Sequence, residues 1–127
     1  QQRVAIARAL APGPKVLLMD EPFAALDAQA RSRMQRHLLE RWSALNITVV
    51  FITHDLEEAI LLADRILVLA PNPGRLVATL PVGIPRTHED LERDKYGSAF
   101  AQVFKELSSL LADSVSLDDA PSGIETR

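Results

Sequence analysis

The chain of 127 residues contains no cysteine. This excludes a disulfide framework, a thiolate metal site and a cysteine nucleophile, and it suits a reducing compartment. No apolar run approaches the roughly 20 residues that a membrane-spanning helix requires. There is no basic excess either: 14 Lys and Arg stand against 17 Asp and Glu, for a net charge of -3. Nothing global therefore points toward nucleic acid or an anionic lipid surface. The chain opens on Gln1-Gln2-Arg3, with no initiator Met and no apolar leader. A polar start leading straight into a helical pattern suggests entry inside a domain, and hence a piece of a longer protein. No internal repeat is present.

What remains is an ordinary globular composition, with 47% hydrophobic and 24% charged residues. That is enough for a core and excludes a wholly disordered chain. Val4 to Ala11 is Ala-rich with high helix propensity, and it stops at Pro12-Gly13-Pro14. Val16-Leu17-Leu18-Met19 and Ile47 to Thr53 are short apolar runs without alternation, which predicts strands buried on both faces. Between them, Asp27 stands at an N-cap position before Ala30, Met34, Leu38, Trp42 and Leu45, which recur along one helical face. Arg31, Arg33, Arg36, Glu40 and Arg41 occupy the opposite face, and Asn46 marks the stop. Asp55 and Glu58 have capping-box spacing at the start of another helix.

Strand, helix, strand, helix is the rhythm of a parallel α/β sheet. The rhythm then changes. Arg65 to Ala70 and Leu76 to Leu80 predict a hairpin turned by Pro71-Asn72-Pro73-Gly74. Ile84 to His88 reads as a Pro-containing linker, and Phe100, Val103, Phe104, Leu107 and Leu111 as one face of a closing helix. From Asp113 the composition suggests a disordered tail. The expected organisation is 1–83 as a partial catalytic domain, 84–112 as linker and helix, and 113–127 as tail.

Asp20-Glu21, at the end of the first strand, carries the chemistry. Ligands of parallel α/β sheets bind at strand carboxyl ends, where the loops splay apart. One carboxylate there can hold Mg²⁺ directly or through water, and a second can polarise an attacking water. By itself the pair is equally a strand exit with solvated acids.

The spacing to later residues adds to this. Leu17-Leu18-Met19-Asp20-Glu21-Pro22-Phe23, followed by Ala24-Ala25-Leu26-Asp27, resembles the Walker B motif and D-loop of ATP-binding-cassette (ABC) ATPases. Thr53-His54-Asp55 resembles their H-loop, and Gln1 to Leu10 the segment that follows their signature motif. The motifs stand in the family's order and cover about residues 1 to 80. The resemblance implies the C-terminal half of a P-loop NTPase fold: parallel core strands with flanking helices, a β-hairpin and a C-terminal helix. It implies ATP and Mg²⁺ as ligands, with Asp20 in the Mg²⁺ shell through water. It also implies that Glu21 orients or deprotonates the hydrolytic water and that His54 contacts the γ-phosphate. Asp27 is expected to reach across a dimer interface, a role compatible with capping its helix. Arg3 and Arg8 are equally a solvated helix face, and His37 and His88 read as surface residues.

Several parts of the resembled family are missing from this sequence. No Gly-x-x-x-x-Gly-Lys-Ser/Thr loop occurs, so nothing here cradles α- and β-phosphates. The signature motif, the adenine-stacking aromatic and the Q-loop glutamine are not found. The chain alone is therefore expected to be inactive, and the parent protein active. In the resembled fold the strand ending at Asp20 neighbours the strand ending at Thr53, and the phosphate-loop strand lies beyond. An incomplete sheet is therefore expected, with a gap or a substitute pairing beside Val49-Val50-Phe51.

The segment Ile66 to Leu76, with its Pro-x-Pro-Gly-Arg turn, resembles importer ATPases of the nitrate/sulfonate/taurine group. The partners so implied are a second ATPase subunit in a head-to-tail dimer, transmembrane permease subunits and, indirectly, a solute-binding protein. The implied place is the cytoplasmic side of the cell membrane, peripherally bound, with no nucleic acid. Two other readings are an ABC ATPase that acts on nucleic acid or the ribosome, and a non-catalytic fragment. Intact Glu21 and His54 argue against the last.

Overall fold

The computed structural model describes residues 2–71, 73–84 and 97–116. The expected linker beyond Ile84 and the tail from residue 117 lie outside the described residues. The elements run α1 (Gln2–Leu10), β1 (Val16–Asp20), α2 (Ala28–Ala44), β2 (Thr48–Ile52), α3 (Leu56–Leu62), β3 (Arg65–Ala70), β4 (Arg75–Pro81) and α4 (Ser98–Ser116).

After α1 the chain reverses at Gly13, whose φ of +68° suits a residue without a side chain. β1 and β2 pair in parallel, from Val16 opposite Thr48 to Asp20 opposite Ile52. The crossover between them is α2. Asp27 caps it by accepting a hydrogen bond from the Ala30 amide at 2.8 Å, and Leu45 ends it, one residue before the expected stop. Met34 and Leu38 from its apolar stripe are buried with Phe23 and Leu62.

The parallel strands were expected to be covered on both faces, and here the structure differs. Leu17, Met19, Val49 and Phe51 are buried or half-buried, whereas Val16, Leu18, Val50 and Ile52 are exposed, Leu18 by 74%. Alternate residues of a strand point to opposite faces, so one face is covered and no described element covers the other. As expected, β2 has a gap on its far side: among the described strands it pairs only with β1, and β3 pairs only with β4.

β3 and β4 form the antiparallel hairpin, with an irregularity between Val68 and Leu69. Ile66 and Val68 turn inward against α3 and α4, joined by Leu80, Phe100 and Leu107, and Ala70 on the same face of β3 is also buried. Phe104 was expected on the buried face of α4 but is 39% exposed, stacked on Phe100 with ring centroids 6.3 Å apart. The tail expected from Asp113 is also corrected, because α4 continues to Ser116. Ser114 is buried within it, and its hydroxyl donates to the Leu111 carbonyl at 2.7 Å. A serine that bonds back into its own helix needs no water, which the polar composition of this stretch concealed.

α3 joins the two halves. Ala59 and Ile60 pack into the hairpin cluster, Leu62 into the α2 cluster, and Leu61 lies against both. No helix among the described residues is long and apolar enough to cross a membrane.

Candidate functional site

Both parallel strands end at the same edge, and the groups of interest leave from there. Asp20 is the last residue of β1 and is exposed. Glu21 follows in the left-handed region, with φ of 43°. A non-glycine residue seldom adopts this conformation, and a neighbouring proline constrains it further. Two backbone hydrogen bonds hold it: the Glu21 amide donates to the Ile52 carbonyl at 2.8 Å, and the Glu21 carbonyl accepts from Ala24 at 3.3 Å. Pro22 and Phe23 are buried immediately beyond.

This turn aims the Glu21 carboxylate at the next strand. Its Oε1 lies 2.9 Å from Nδ1 of His54. An ionised carboxylate only accepts, so the imidazole donates through Nδ1 and Nε2 faces away from the contact. The side chains are 81% and 46% exposed for His54 and Glu21 respectively, so a ligand can reach both. The hydrogen bond to Glu21 and the charge of Glu21 hold His54 above its ordinary 6.5, with smaller contributions in the same direction from Asp55 and Glu58.

Behind His54 lies a polar cluster that ties α2 to α3. Asp55 caps α3 by accepting from the Glu58 amide at 3.2 Å. The expected capping box is only half formed. The Asp55 amide donates to Thr53 Oγ1 at 3.0 Å, while the Glu58 carboxylate turns to α2 and accepts from Gln35 Nε2 at 3.2 Å. Glu58 is 4% exposed. Burial pushes its carboxyl above the ordinary range, against the hydrogen bonds from Thr53 and Gln35. Arg31 Nη1 stands 3.5 Å from Asp55 Oδ2, and Arg31 Nη2 donates to the Leu26 carbonyl at 3.2 Å.

Of the residues singled out in the sequence, Glu21 and His54 are in contact, and Asp20 precedes Glu21 at the same strand edge. Asp27 is exposed at the start of α2 and caps it. Arg31 was placed on the face of α2 opposite the apolar stripe, yet it is the link between the two loops. Arg31 and Gln35 are one turn apart, flank the apolar stripe, and face the acids of the next helix start. That complementarity was the available signal, and a helix-face count alone passes over it. Arg3 and His88 lie among residues whose side chains are not described.

Among the described residues no group of three or more His, Asp or Glu is placed to hold a metal. The donor set of Asp20 and Glu21 does not form an all-protein cage. It does fit Mg²⁺ that arrives on a phosphate ligand, since that ion commonly takes one or two carboxylates and keeps several waters. An apolar cleft of about 240 Å³, lined in part by Ala5, Ile6, Ala9 and Leu17, opens between α1 and β1 and reaches Asp20.

Fold and geometry together define an α/β unit with a carboxylate–imidazole pair at the carboxyl edge of its parallel strands. No family model matches the chain, but individual proteins do. A taurine import ATP-binding protein of Mesorhizobium japonicum is 47% identical over 114 residues, 87% of this chain and 44% of its own. A nitrate import ATP-binding protein of Synechocystis sp. is 45% identical over 115 residues, 87% of this chain and 43% of its own. An uncharacterized ABC transporter ATP-binding protein of Methanocaldococcus jannaschii is 44% identical over 115 residues, 91% of this chain and 41% of its own. Over these residues the chain is a homologue of ABC transporter ATP-binding proteins, import subunits among them. It spans 33% to 44% of the length of such relatives.

Proposed function

We propose that the full-length protein containing this chain is the ATP-hydrolysing subunit of an ABC importer for a small solute, of the nitrate, sulfonate or taurine kind. The observation that carries the reading is the 2.9 Å contact between Glu21 and His54, made at the strand edge where ligands of parallel sheets bind. The homology to import ATP-binding proteins supports the same class.

The chemistry follows from the residues. Asp20 would hold Mg²⁺ carried in on the phosphates, and that ion when bound would supply charge neutralisation there. Glu21 orients the hydrolytic water and accepts its proton, a role suited to an exposed carboxylate on a rigid turn. His54 is fixed through Nδ1 by Glu21, which leaves Nε2 to donate toward the γ-phosphate when the ring is protonated. Phosphoryl transfer draws most of its acceleration from such positioning and charge compensation. Asp27 reaches a second ATPase subunit across a head-to-tail dimer and couples the two sites. Closing and reopening of that pair moves transmembrane permease subunits, which receive solute from a solute-binding protein. The complex sits at the cytoplasmic face of the cell membrane. The present 127 residues contain no Gly-x-x-x-x-Gly-Lys-Ser/Thr loop, and by themselves they are expected to be inactive.

The test is Glu21→Gln in the full-length protein. Steady-state ATP hydrolysis is expected to fall to background while ATP binding persists and the closed dimer accumulates. Hydrolysis at the wild-type rate would remove Glu21 from the chemistry.

A further inference from the structure

Both partners of the Glu21–His54 contact sit on loops, and loops need external support to hold a separation to a fraction of an ångström. The first loop runs from Glu21 to Leu26 as two successive turns, with Ala24 donating to the Glu21 carbonyl at 3.3 Å and Leu26 to the Phe23 carbonyl at 3.1 Å. The second is the short passage from Thr53 to Asp55, fixed by the 3.0 Å bond between the Asp55 amide and Thr53 Oγ1. Arg31 touches both, through the Leu26 carbonyl at 3.2 Å and Asp55 Oδ2 at 3.5 Å.

The helix that carries Arg31 does not need this arrangement for its own stability. Asp27 already caps α2, and Met34 and Leu38 bury it. The Nε–H of Arg31 makes no hydrogen bond to protein, so the two Nη contacts set where the guanidinium lies. The pair is also not an open surface pair, because Arg31 and Asp55 are only 34% and 35% exposed. A planar fork with separate donors can hold two acceptors on different loops at once, whereas a single ammonium cannot reproduce that geometry.

We propose that Arg31 is a positioning residue for His54: by bridging the Leu26 carbonyl and the Asp55 carboxylate, it sets the separation between the loop bearing Glu21 and the turn bearing the imidazole. The proposal rests on the hydrolytic reading of Glu21 and His54 given above. It assigns Arg31 no contact with nucleotide, so its loss acts on turnover and leaves binding intact.

The experiment uses the full-length protein with Arg31→Lys, Asp55→Asn and the double variant. Asp55→Asn retains a side-chain oxygen to cap α3 while weakening the link to Arg31, and it stands in if Arg31→Lys does not fold. Each single variant is expected to lower kcat at saturating ATP by about tenfold, the scale on which small misplacements act, with unchanged affinity for ATP. The double variant should be no slower than the slower single one, because both changes cut the same link. An unchanged kcat, a loss matched by weaker ATP binding, or a double variant whose losses multiply would each overturn the proposal. Glu21→Gln is run alongside. If it keeps wild-type hydrolysis, the hydrolytic reading fails and takes this one with it; if it is inactive while Arg31→Lys is unaffected, only the role of Arg31 fails.

Discussion

Glu21 occupies a backbone conformation, φ of 43°, that costs a non-glycine residue about 1–3 kcal/mol. The cost is offset by the bond to Ile52 and the burial of Pro22 and Phe23, and the result is a carboxylate aimed across the strand edge. That carboxylate governs the titration of His54. Because the folded-state value is raised above 6.5, the ion-pair part of the contact is fully present below that pH and is lost as pH rises through the raised value, while a neutral ring can still donate through Nδ1. Glu21→Gln removes the charge and is expected to bring the His54 value down, measured by NMR titration of the ring. The three histidines are told apart by the signal that disappears in His54→Gln. A His54 value unmoved by Glu21→Gln would show that the contact is absent in solution. The types and order of Asp20, Glu21, Asp27 and His54 were legible from the sequence. The strained turn at Glu21 was not, because residue type does not report a positive φ when the residue is neither Gly nor Asn. Arg31 was not legible either: its role depends on a carbonyl and a carboxylate that only the fold brings within reach.

Among the elements, α2 depends most clearly on one side chain at its start. Asp27 caps it at 2.8 Å, and Asp27→Ala is expected to cost about 1 kcal/mol of stability, read from thermal or denaturant unfolding. Asp27→Ser retains a cap and loses the carboxylate, so it separates the two roles. Stability close to wild type together with impaired turnover in the full-length dimer supports a part for Asp27 at the subunit interface. Wild-type turnover in Asp27→Ser would confine Asp27 to its helix. Element identity was readable from periodicity and punctuation: Pro12-Gly13-Pro14 ends α1, Asp27 opens α2, and Asp55 opens α3. What periodicity missed lay in the partners. The spacing of Asp55 and Glu58 announced a reciprocal box, but Gln35 on another helix competes successfully for the Glu58 carboxylate. Likewise, Asp113 to Ser116 was taken by composition for tail, although Ser114 satisfies itself inside α4.

For the whole molecule, the bare face of the β1–β2 sheet dominates its behaviour. Val16, Leu18, Val50 and Ile52 lie side by side on it at 47% exposure or more, and among the described residues no strand pairs with the free edge of β2. Exposed apolar strands with free edges favour association between copies. The 127-residue chain expressed by itself is expected to self-associate, seen by sedimentation or light scattering as mass rising with concentration. Leu18→Lys or Val50→Lys should reduce that association by placing a charge on the face. A monomer at all concentrations would mean the face is covered in solution. The unalternating apolar runs had suggested covered strands, and they are uncovered here because burial on a second face requires a layer that no described element supplies.

The position of α3 between the two clusters has a consequence in time. Met34 and Leu38 are complete as a hydrophobic stripe once α2 has left the ribosome, yet their partner Leu62 is synthesised later. At ordinary elongation rates that interval lasts about one to five seconds. During it the nascent chain presents an amphipathic helix with its greasy side open, and the hairpin cluster cannot close until α4 follows. Within these residues α3 completes the cluster that α2 begins and α4 the cluster that the hairpin begins, so chaperones have their window while α3 is still in the exit tunnel.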